Sequence, residues 1–424
     1  MRRRSDERGF VFLISIFVTS FLLAWIAMGL QRSMTELRSA QQSLQNNQAF
    51  QLAEGGGEDA HRYLKGLGAP PAGVARFNPF GGPRAVGRGQ YTVTIDPDDN
   101  NPNRFEDVFT IESTSTMTVG QATRRVTKIL STESFARYSY FTNSERSGGS
   151  PIWFTSRDRL NGPVHSNDRF NLSGNPVFNG PVSSAASSIN YANPPPAGGN
   201  NPQFNGGLTL NMIPVSLPNN LTKLRVAASA SDGLWLTGNT TFTLQADGTM
   251  RVTNANRGWN NATVTPPVNG AIFVNGGNAT VSGTLNGRLT IGATRDVIIA
   301  NNVLYADDPR TNPSSNDILG LAAEQNVVIS RNAPADLTVQ ASMLALNKSF
   351  TVENWWQGPP KGTLTVYGGI IQDSRGAVAS FDSSTGQLLS GYAKDYWYDS
   401  RFMNDAPPFF PTNGVYQLVF WQQN

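Results

Sequence analysis

The apolar positions divide the chain into a helical beginning and a β-rich remainder. Residues 10–30 form a stretch of twenty-one residues without a charge, and a run of that length can cross the hydrocarbon core of a bilayer as one helix. Residues 31–65 contain no proline, and their apolar positions recur at spacings of three, four or seven, which indicates an amphipathic helix. We therefore predict a transmembrane helix over 10–30 that continues as one helix over 31–65. The three glycines at 55–57 predict a break or kink in it.

Alternation with a period of two begins after a stretch rich in glycine and proline. Residues 66–90 carry turn-forming residues and predict a linker. Beyond the linker, Tyr91–Ile95, Phe109–Ser115 and Met117–Ser134 have the pattern of strands joined by short polar turns, which is typical of an antiparallel meander. A long helix followed by a small antiparallel sheet over 91–135 predicts an α+β module.

From residue 136 to residue 424 the chain carries short β-type runs and no periodic segment of helix length. Seven Asn-Gly pairs, each a signal for a tight turn, occur in the chain beyond residue 135. Two all-β architectures fit this part: a β-sandwich, or a right-handed β-solenoid in which short strands stack into parallel sheets. The solenoid is favoured because no clean series of hairpins runs through 270–371.

Composition and charge narrow the function classes without assigning one. The chain of 424 residues has a formal net charge of +3, so its net charge does not signal a strongly basic nucleic-acid surface. It contains no cysteine, so backbone ladders and packing must hold it without the disulfides that are common in exported proteins. Sparse charges and abundant Gly, Asn, Ser, Thr and Pro suit an exported β-rich protein rather than a cytosolic enzyme. No cofactor is predicted.

The junction at residues 8–10 carries a family resemblance. Four arginines precede Gly9, and Phe10 opens the apolar helix; this order resembles the class III signal of type IV pilins and pseudopilins. The resemblance implies that a prepilin peptidase cuts the Gly9–Phe10 bond, methylates Phe10 and removes residues 1–9 as a leader peptide. The arginines also predict a cytoplasmic N-terminus. The alternative is an ordinary signal-anchor helix that is left uncut.

Two further features refine this resemblance. Residues 49–54, with the sequence AFQLAE, look like the end of the N-terminal helix in PilX-type minor pilins. Counting from Phe10, position five is Ile14, where major pilins carry a glutamate that pairs with the amine of a neighbouring subunit. The resemblance therefore implies a minor subunit that acts in initiation or at the tip, rather than an abundant shaft subunit. A minor pseudopilin of a type II secretion system is the alternative assignment.

The β-rich part resembles a broad family of large pilin-like proteins, which includes ComZ-like minor pilins of DNA uptake with a β-solenoid. Three segments carry this likeness: Asn161–Asp168, Leu319–Ile329 and Tyr392–Phe402. The resemblance implies a single-pass inner-membrane protein whose bulk lies in the periplasm and, once assembled, on the pilus outside the cell. Its implied partners are the prepilin peptidase, other minor and major pilins, the inner-membrane assembly platform, and DNA or a surface ligand.

No enzyme activity is predicted, and a membrane-anchored carbohydrate-active β-helix enzyme is the alternative from a different class. Glycoside hydrolysis needs two carboxylates across one cleft, whereas the acids of the β-rich part are scattered. The chain has two histidines, His61 and His165, which almost excludes a His-based metal site. His165 lies beside Ser166 and Asp168, so it is either part of a polar site or a histidine hydrogen-bonded to a turn. The second interpretation is favoured.

Two other segments have both a ligand-binding and a structural interpretation. Asp96–Asn103 is rich in the oxygen ligands that calcium uses, but it lacks the glycine and the distal glutamate of an EF-hand loop, and a solvated turn is favoured. Aromatic residues crowd the C-terminal part, and the candidates for stacking on bases or sugar rings are Trp355, Trp356, Tyr396 and Trp397. The favoured interpretation is that these aromatic residues cap the open end of a solenoid.

Overall fold

The N-terminal helix is long, and its first half stands free of the rest of the chain. The computed structural model describes residues 6–67, 71, 74–97, 107–192, 200–382 and 387–424. Helix α1 (Asp6–Lys65) contains 60 residues, which corresponds to about 90 Å at 1.5 Å per residue. Its side chains from residue 10 to residue 44 are all exposed. The prediction of one long N-terminal helix is confirmed.

The predicted break at glycines 55–57 is wrong, because the helix continues through them. Gly56 lies directly against the sheet: a Cβ atom there would be 2.4 Å from the Ser113 hydroxyl and 2.7 Å from the Tyr91 ring. A Cβ atom on Gly57 would be 3.1 Å from Lys128. Glycines let the helix approach the sheet closely, and this packing offsets their low helix propensity.

An antiparallel sheet covers the second half of α1. It contains β1 (Arg84–Val86), β2 (Gly89–Pro97), β3 (Val108–Met117), β4 (Thr123–Ser134) and β31 (Thr412–Gln423). The strand order is β1-β2-β3-β4-β31, and each neighbouring pair is antiparallel. Buried and part-exposed residues alternate along β2 and β3, so one face of the sheet packs on the helix. The buried residues of this core are Ala60, Leu64, Tyr91, Val93, Ile95, Phe109, Ile111, Leu130 and Tyr416.

Two predicted boundaries differ from the structure. The linker predicted over 66–90 contains β1 and the start of β2. Within it, Phe77 exchanges two backbone hydrogen bonds with Ile95, of 2.9 and 2.8 Å, and its aromatic side chain packs on the helix–sheet core. The turn-forming residues of this segment give no indication of that packing. The domain predicted over 136–424 loses its last strand, because β31 joins the N-terminal sheet rather than the β domain.

In its described residues the β domain contains short strands and one short α-helix. In its first part the strands are β5 (Tyr140–Ser144), β6 (Arg146–Ser147), β7 (Ser150–Pro151), β8 (Arg159–Leu160), β9 (Val164–Ser166), β10 (Asn171–Leu172), β11 (Val177–Phe178), β12 (Val182–Ser184), β13 (Asn190–Tyr191), β14 (Gln203–Phe204) and β15 (Leu208–Thr209). Helix α2 (Thr222–Ser229) follows. The described residues also form 3-10 helices at Phe135–Arg137, Ala255–Arg257 and Ser400–Met403.

The second part of the β domain has longer strands. They are β16 (Leu234–Thr237), β17 (Thr240–Leu244), β18 (Met250–Asn254), β19 (Trp259–Val264), β20 (Ala271–Asn275), β21 (Ala279–Leu285), β22 (Arg288–Ala293), β23 (Val297–Tyr305), β24 (Ile318–Ala323), β25 (Val327–Ile329), β26 (Leu337–Ala345), β27 (Phe350–Val352), β28 (Pro360–Ser374), β29 (Ala379–Phe381) and β30 (Leu388–Trp397). The chain is therefore one long helix with mostly β structure, as predicted.

Most strands of the β domain pair in parallel. One ladder runs β15-β12-β9-β5-β28-β26-β24-β22-β20-β16 with every neighbouring pair parallel. A second runs β17-β21-β23-β25-β27, and a third runs β8-β11-β14. One register position of the first ladder gives a column of side chains packed in the domain core: Leu208, Val182, Val164, Tyr140, Ile370, Met343, Leu321, Ile291, Ile272 and Leu234.

The chain joins this ladder in its middle. After β4 it enters at β5, proceeds strand by strand to β15 at one end, passes through α2 and re-enters at β16 at the other end. It then returns to β28, which pairs with β5 through Ile370 and Tyr140. Two chain segments, 140–209 and 234–397, thus meet at the β5–β28 pairing, which we call the seam. Residues 398–411 lead back to β31, and their Phe402 and Phe410 pack in one cluster with Leu224 of α2.

Three Asn-Gly pairs stack on one another at successive strands rather than forming hairpins. The side-chain amide of Asn179 donates to Asn161 over 2.6 Å, and that of Asn205 donates to Asn179 over 2.7 Å. The glycines that follow them also stack, since a Cβ atom on Gly180 would lie 2.2 Å from the carbonyl oxygen of Gly162. Asparagine supplies the lateral hydrogen bonds and glycine the close backbone approach.

Replacing Gly180 by alanine is expected to destabilise the β domain by about 1–3 kcal/mol, because its Cβ atom would overlap backbone that cannot move independently. The matched control is Gly82→Ala: a Cβ atom there meets nothing within 4 Å. The control should change stability by less than about 0.5 kcal/mol. Thermal unfolding of the full chain in detergent measures both. Equal melting temperatures for the two variants would contradict the stacked arrangement.

Candidate functional site

The first half of α1 carries a long run of exposed large apolar side chains. Phe10 is 65% exposed, and most of the large apolar side chains along this half are exposed to a similar degree. Two of its hydroxyl groups are satisfied within the helix, since Ser15 donates to the carbonyl of Phe12 over 2.8 Å and Thr19 to that of Ser15 over 2.6 Å. By length and composition this helix is able to cross a membrane.

The predicted cleavage bond lies in the first turns of this helix. Gly9 and Phe10 are both helical, and residues 1–5 lie outside the described residues. Ile14, at the fifth position after the predicted bond, is also exposed. The described apolar stretch from Phe10 to Leu30 offers no carboxylate.

A buried lysine fastens the second half of α1 to the sheet. Lys128 on β4 is almost fully buried, and its ammonium lies 2.7 Å from Glu54 and 2.6 Å from Glu58 of the helix. Burial lowers the pKa of Lys128, but its hydrogen bonds to the two glutamates raise it overall. Trp421 of β31 donates its indole N–H to Glu54 over 2.9 Å. The helix, β4 and β31 are thereby held at one point.

A cavity of about 330 Å³ opens at the seam of the β domain. Two of the predicted stacking residues, Trp355 and Tyr396, line it, and its other aromatic lining residues are Tyr140, Trp153, Phe154, Phe350 and Phe381. The first chain segment supplies three of these seven aromatic residues, and the second supplies four. The cavity therefore exists because two chain segments meet there without filling the space between them.

The other two predicted stacking residues do not line this cavity. Trp356 is 58% exposed, and its ring packs edge-on against Trp355 with centroids 5.5 Å apart. Trp397 is 47% exposed and donates its indole N–H to Asp395 over 2.8 Å. The aromatic residues predicted as one cap are thus distributed: Tyr392 lies in the core of the β domain, Phe402 and Phe410 cover an outer face, and Trp421 belongs to the N-terminal sheet.

The walls of the cavity also contain two buried ion pairs. Arg375 lies 3.0 Å from Glu145, and its guanidinium carbon stands 3.6 Å from the centre of the Phe154 ring. Lys394 pairs with Asp158. Burial raises the pKa of Glu145 despite the attraction of Arg375. Burial acts in the same direction on Asp158, but Lys394 and Arg375 lower its pKa overall.

Sequence reasoning missed these four charged residues. Arg375 and Glu145 lie 230 positions apart, and Lys394 and Asp158 lie 236 apart, so no local motif joins them. The signal that could have found them is the scarcity of charged residues in this part of the chain, which makes each one a candidate for an ion pair. Among the described residues, no group of three His, Cys, Asp or Glu side chains is placed to hold a metal ion.

The calcium interpretation of Asp96–Asn103 falls mostly outside the described residues. Asp96 and Pro97 end β2, and residues 98–103 are not among those described. The other candidate, His165, is well described. Its two ring nitrogens lie 2.8 Å from the Ser183 hydroxyl and 3.0 Å from the Asn167 side-chain oxygen, and its ring stacks on Phe141 with centroids 5.5 Å apart. These are the contacts of a histidine that holds neighbouring strands together.

Stability is expected to fall as the pH drops below about 6.5, the pKa of an unfolded histidine. Burial lowers the pKa of His165 in the folded protein. As the pH falls, the histidine of the unfolded chain is therefore protonated first, and the folded state loses stability until the pH reaches the folded pKa. The His165→Gln variant keeps two polar groups but does not titrate, and its melting temperature should fall less between pH 7.5 and pH 5. His61→Gln serves as the comparison, because burial also lowers the pKa of His61. Equal slopes for wild type and both variants would contradict this assignment.

Comparison with known proteins gives a family match over one part of the chain. Residues 108–187 match a family described only as a domain of unknown function (DUF4900); the matched region runs from β3 through β12 and so spans the junction between the sheet and the β domain. The chain is also similar to the crystal structure of the competence-associated pilin ComZ from Thermus thermophilus. The identity is 13%, the TM-score is 0.33, and the match covers 90% of this chain and 97% of that one. At that identity and TM-score the likeness does not define the fold or the function of this chain. No curated protein matches it.

Proposed function

We propose that the chain is a minor subunit of a type IV pilus-like fibre. The observation that carries the proposal is the division of α1. Residues 10–44 expose an uninterrupted surface that includes the apolar segment, whereas Ala49, Ala53 and Ala60 of the second half are fully buried against an antiparallel sheet. A helix of this kind needs a bilayer before assembly and the helices of neighbouring subunits after it.

Within this proposal, α1 anchors the subunit in the inner membrane with a cytoplasmic N-terminus and a periplasmic bulk. Prepilin peptidase cuts before Phe10 and methylates it, and the inner-membrane platform then passes the helix to other minor and major pilins. The fifth position supports a minor role, because Ile14 offers no carboxylate to pair with the N-terminal amine of a neighbouring subunit. The subunit would therefore act at initiation or at the tip.

We further infer that the β domain is a right-handed β-solenoid. The parallel ladder from β15 to β16, its unbroken core column and the stacked Asn-Gly pairs support this inference, because a β-sandwich is built from antiparallel sheets. A domain of this bulk suits the end of a fibre, where it would meet DNA or a surface ligand. We propose binding rather than catalysis there, since Arg375 and Lys394 engage the two carboxylates at the seam cavity, Glu145 and Asp158.

The test is the N-terminal sequence and intact mass of the protein made with and without prepilin peptidase. The expected mature chain begins at methylated Phe10, and only when the peptidase is present. Gly9→Val should abolish the cut. Gly29→Ala is the matched control, since it changes a glycine of the same helix whose Cβ would meet nothing within 4 Å, and it should be processed normally. A chain that keeps residues 1–9 in both strains would contradict the proposal and leave a membrane-anchored β protein.

A further inference from the structure

The seam cavity has the chemistry of a ligand site that the assembly function does not use. Its volume of about 330 Å³ falls at the low end of the range of about 300–1,000 Å³ for small-molecule sites. This volume is sufficient for one small ring. The walls are mostly apolar and aromatic, with a few polar side chains at fixed positions, which is the usual composition of such sites.

The aromatic walls favour a ring with an apolar face. Trp153, Trp355, Phe381 and Tyr396 line the cavity, and Trp355 and Tyr396 are only half-buried, so part of each ring is open to an occupant. A pyranose sugar presents C–H groups on its faces and hydroxyl groups around its rim. It can therefore contact aromatic rings and hydrogen-bond donors at once.

The charges favour an acidic sugar over a neutral one. Three cationic side chains line the cavity, those of Arg159, Arg375 and Lys394. They face two carboxylates, Asp158 in the lining and Glu145 behind Arg375. One positive charge is thus in excess. The ammonium of Lys394 has three N–H donors, and its bond to Asp158 uses one, so it is able to donate to an oxygen of the occupant.

We propose that the seam cavity binds a single sugar ring that carries a carboxylate, a uronic acid. The ring lies against Trp355 and Tyr396, and the carboxylate meets Lys394 and Arg159 at the cavity wall. The binding is non-covalent and does not depend on whether the chain assembles into a fibre. A pilin-like subunit with this site would attach to acidic polysaccharides.

Isothermal titration calorimetry of the detergent-solubilised full chain tests the proposal with four probes: sodium glucuronate, sodium galacturonate, glucose and sodium acetate. At least one uronate should bind saturably, and about tenfold more tightly than glucose, which lacks the carboxylate, and than acetate, which lacks the ring. Equal affinity for glucose and the uronates, or no saturable binding of either uronate, would overturn the proposal.

Two tryptophans give a matched pair of variants. Trp355→Leu removes a wall of the cavity, whereas Trp356→Leu changes the adjacent tryptophan, which is outside the lining. The first should weaken uronate binding about tenfold or more, and the second should leave it unchanged. Melting temperatures establish that both variants fold. If Trp355→Leu does not fold, the exposed Arg159→Gln replaces it, and it should weaken uronate but not glucose binding. Equal effects of the two tryptophan variants, or an unaltered uronate affinity in Arg159→Gln, would overturn the proposal.

Discussion

The Arg375→Met variant is expected to lose about 3–5 kcal/mol of stability, because it leaves a buried carboxylate without its partner. Glu145 is fully buried, and Arg375 is its cation at 3.0 Å. The guanidinium also donates to the backbone carbonyls of Ile152 and Trp153, over 3.2 and 3.4 Å. A methionine side chain fills similar space but supplies none of these donors. Thermal unfolding of the full chain in detergent, followed by circular dichroism, measures the loss.

A second substitution separates the charge from the packing. In Arg375→Met/Glu145→Gln the buried charge is gone, and the new amide still accepts the hydrogen bond that the Thr142 hydroxyl gives Glu145. The double variant should recover more than half of the lost stability, since replacing both members of a buried pair is often nearly neutral. If the double variant is less stable than Arg375→Met, the pair does not act through its buried charge and the interpretation is wrong.

The Tyr416→Ala variant is expected to cost about 3–5 kcal/mol, the usual range for truncating a large buried aromatic side chain. Tyr416 on β31 packs against Phe109 with ring centroids 5.3 Å apart and against His61 at 6.3 Å. It is thus the side chain through which β31 contributes to the core under α1. Hydrogen-exchange mass spectrometry of peptides from β3 and β4 should show faster exchange, with peptides from β22 and β24 unchanged.

Two variants on the same strand complete this test. Tyr416→Phe should be neutral or stabilising, because the buried hydroxyl of Tyr416 has no hydrogen-bond partner among the described residues. Val419→Ala alters a side chain that is 63% exposed, and its effect should stay within about 0.5 kcal/mol. If Val419→Ala and Tyr416→Ala change stability equally, β31 contributes only its backbone hydrogen bonds to the sheet, and the side chain of Tyr416 does not stabilise the core.

The parts of the fold that sequence reasoning predicted depend on local patterns. Hydropathy and helix-forming residues define α1, and strict alternation defines β2 and β3, because each pattern follows from the geometry of one element. The glycines at 55–57 were misjudged for the same reason. Low helix propensity is a local property, whereas the contact of Gly56 with Tyr91 is a tertiary one.

The parts that were missed depend on pairings between distant segments. Strand β31 has exposed apolar residues on both faces over much of its length. Its hydrophobic pattern therefore does not indicate that β4 is its partner strand. The seam joins Tyr140 to Ile370, and the ion pairs at its cavity follow from that pairing. Asn-Gly pairs were assigned to tight turns, although three of them stack across parallel strands.

The place of β31 in the chain has a consequence for biogenesis. The N-terminal sheet is interrupted after β4 by the entire β domain, and its fifth strand is synthesised only afterwards. Until then the core around Phe109 lacks Tyr416, and β4 presents an open edge that is prone to wrong partners. The sheet can therefore be completed only after the whole β domain has been synthesised. A prematurely terminated chain would carry an intact N-terminal helix but an unfinished sheet, which proteases of the cell can recognise.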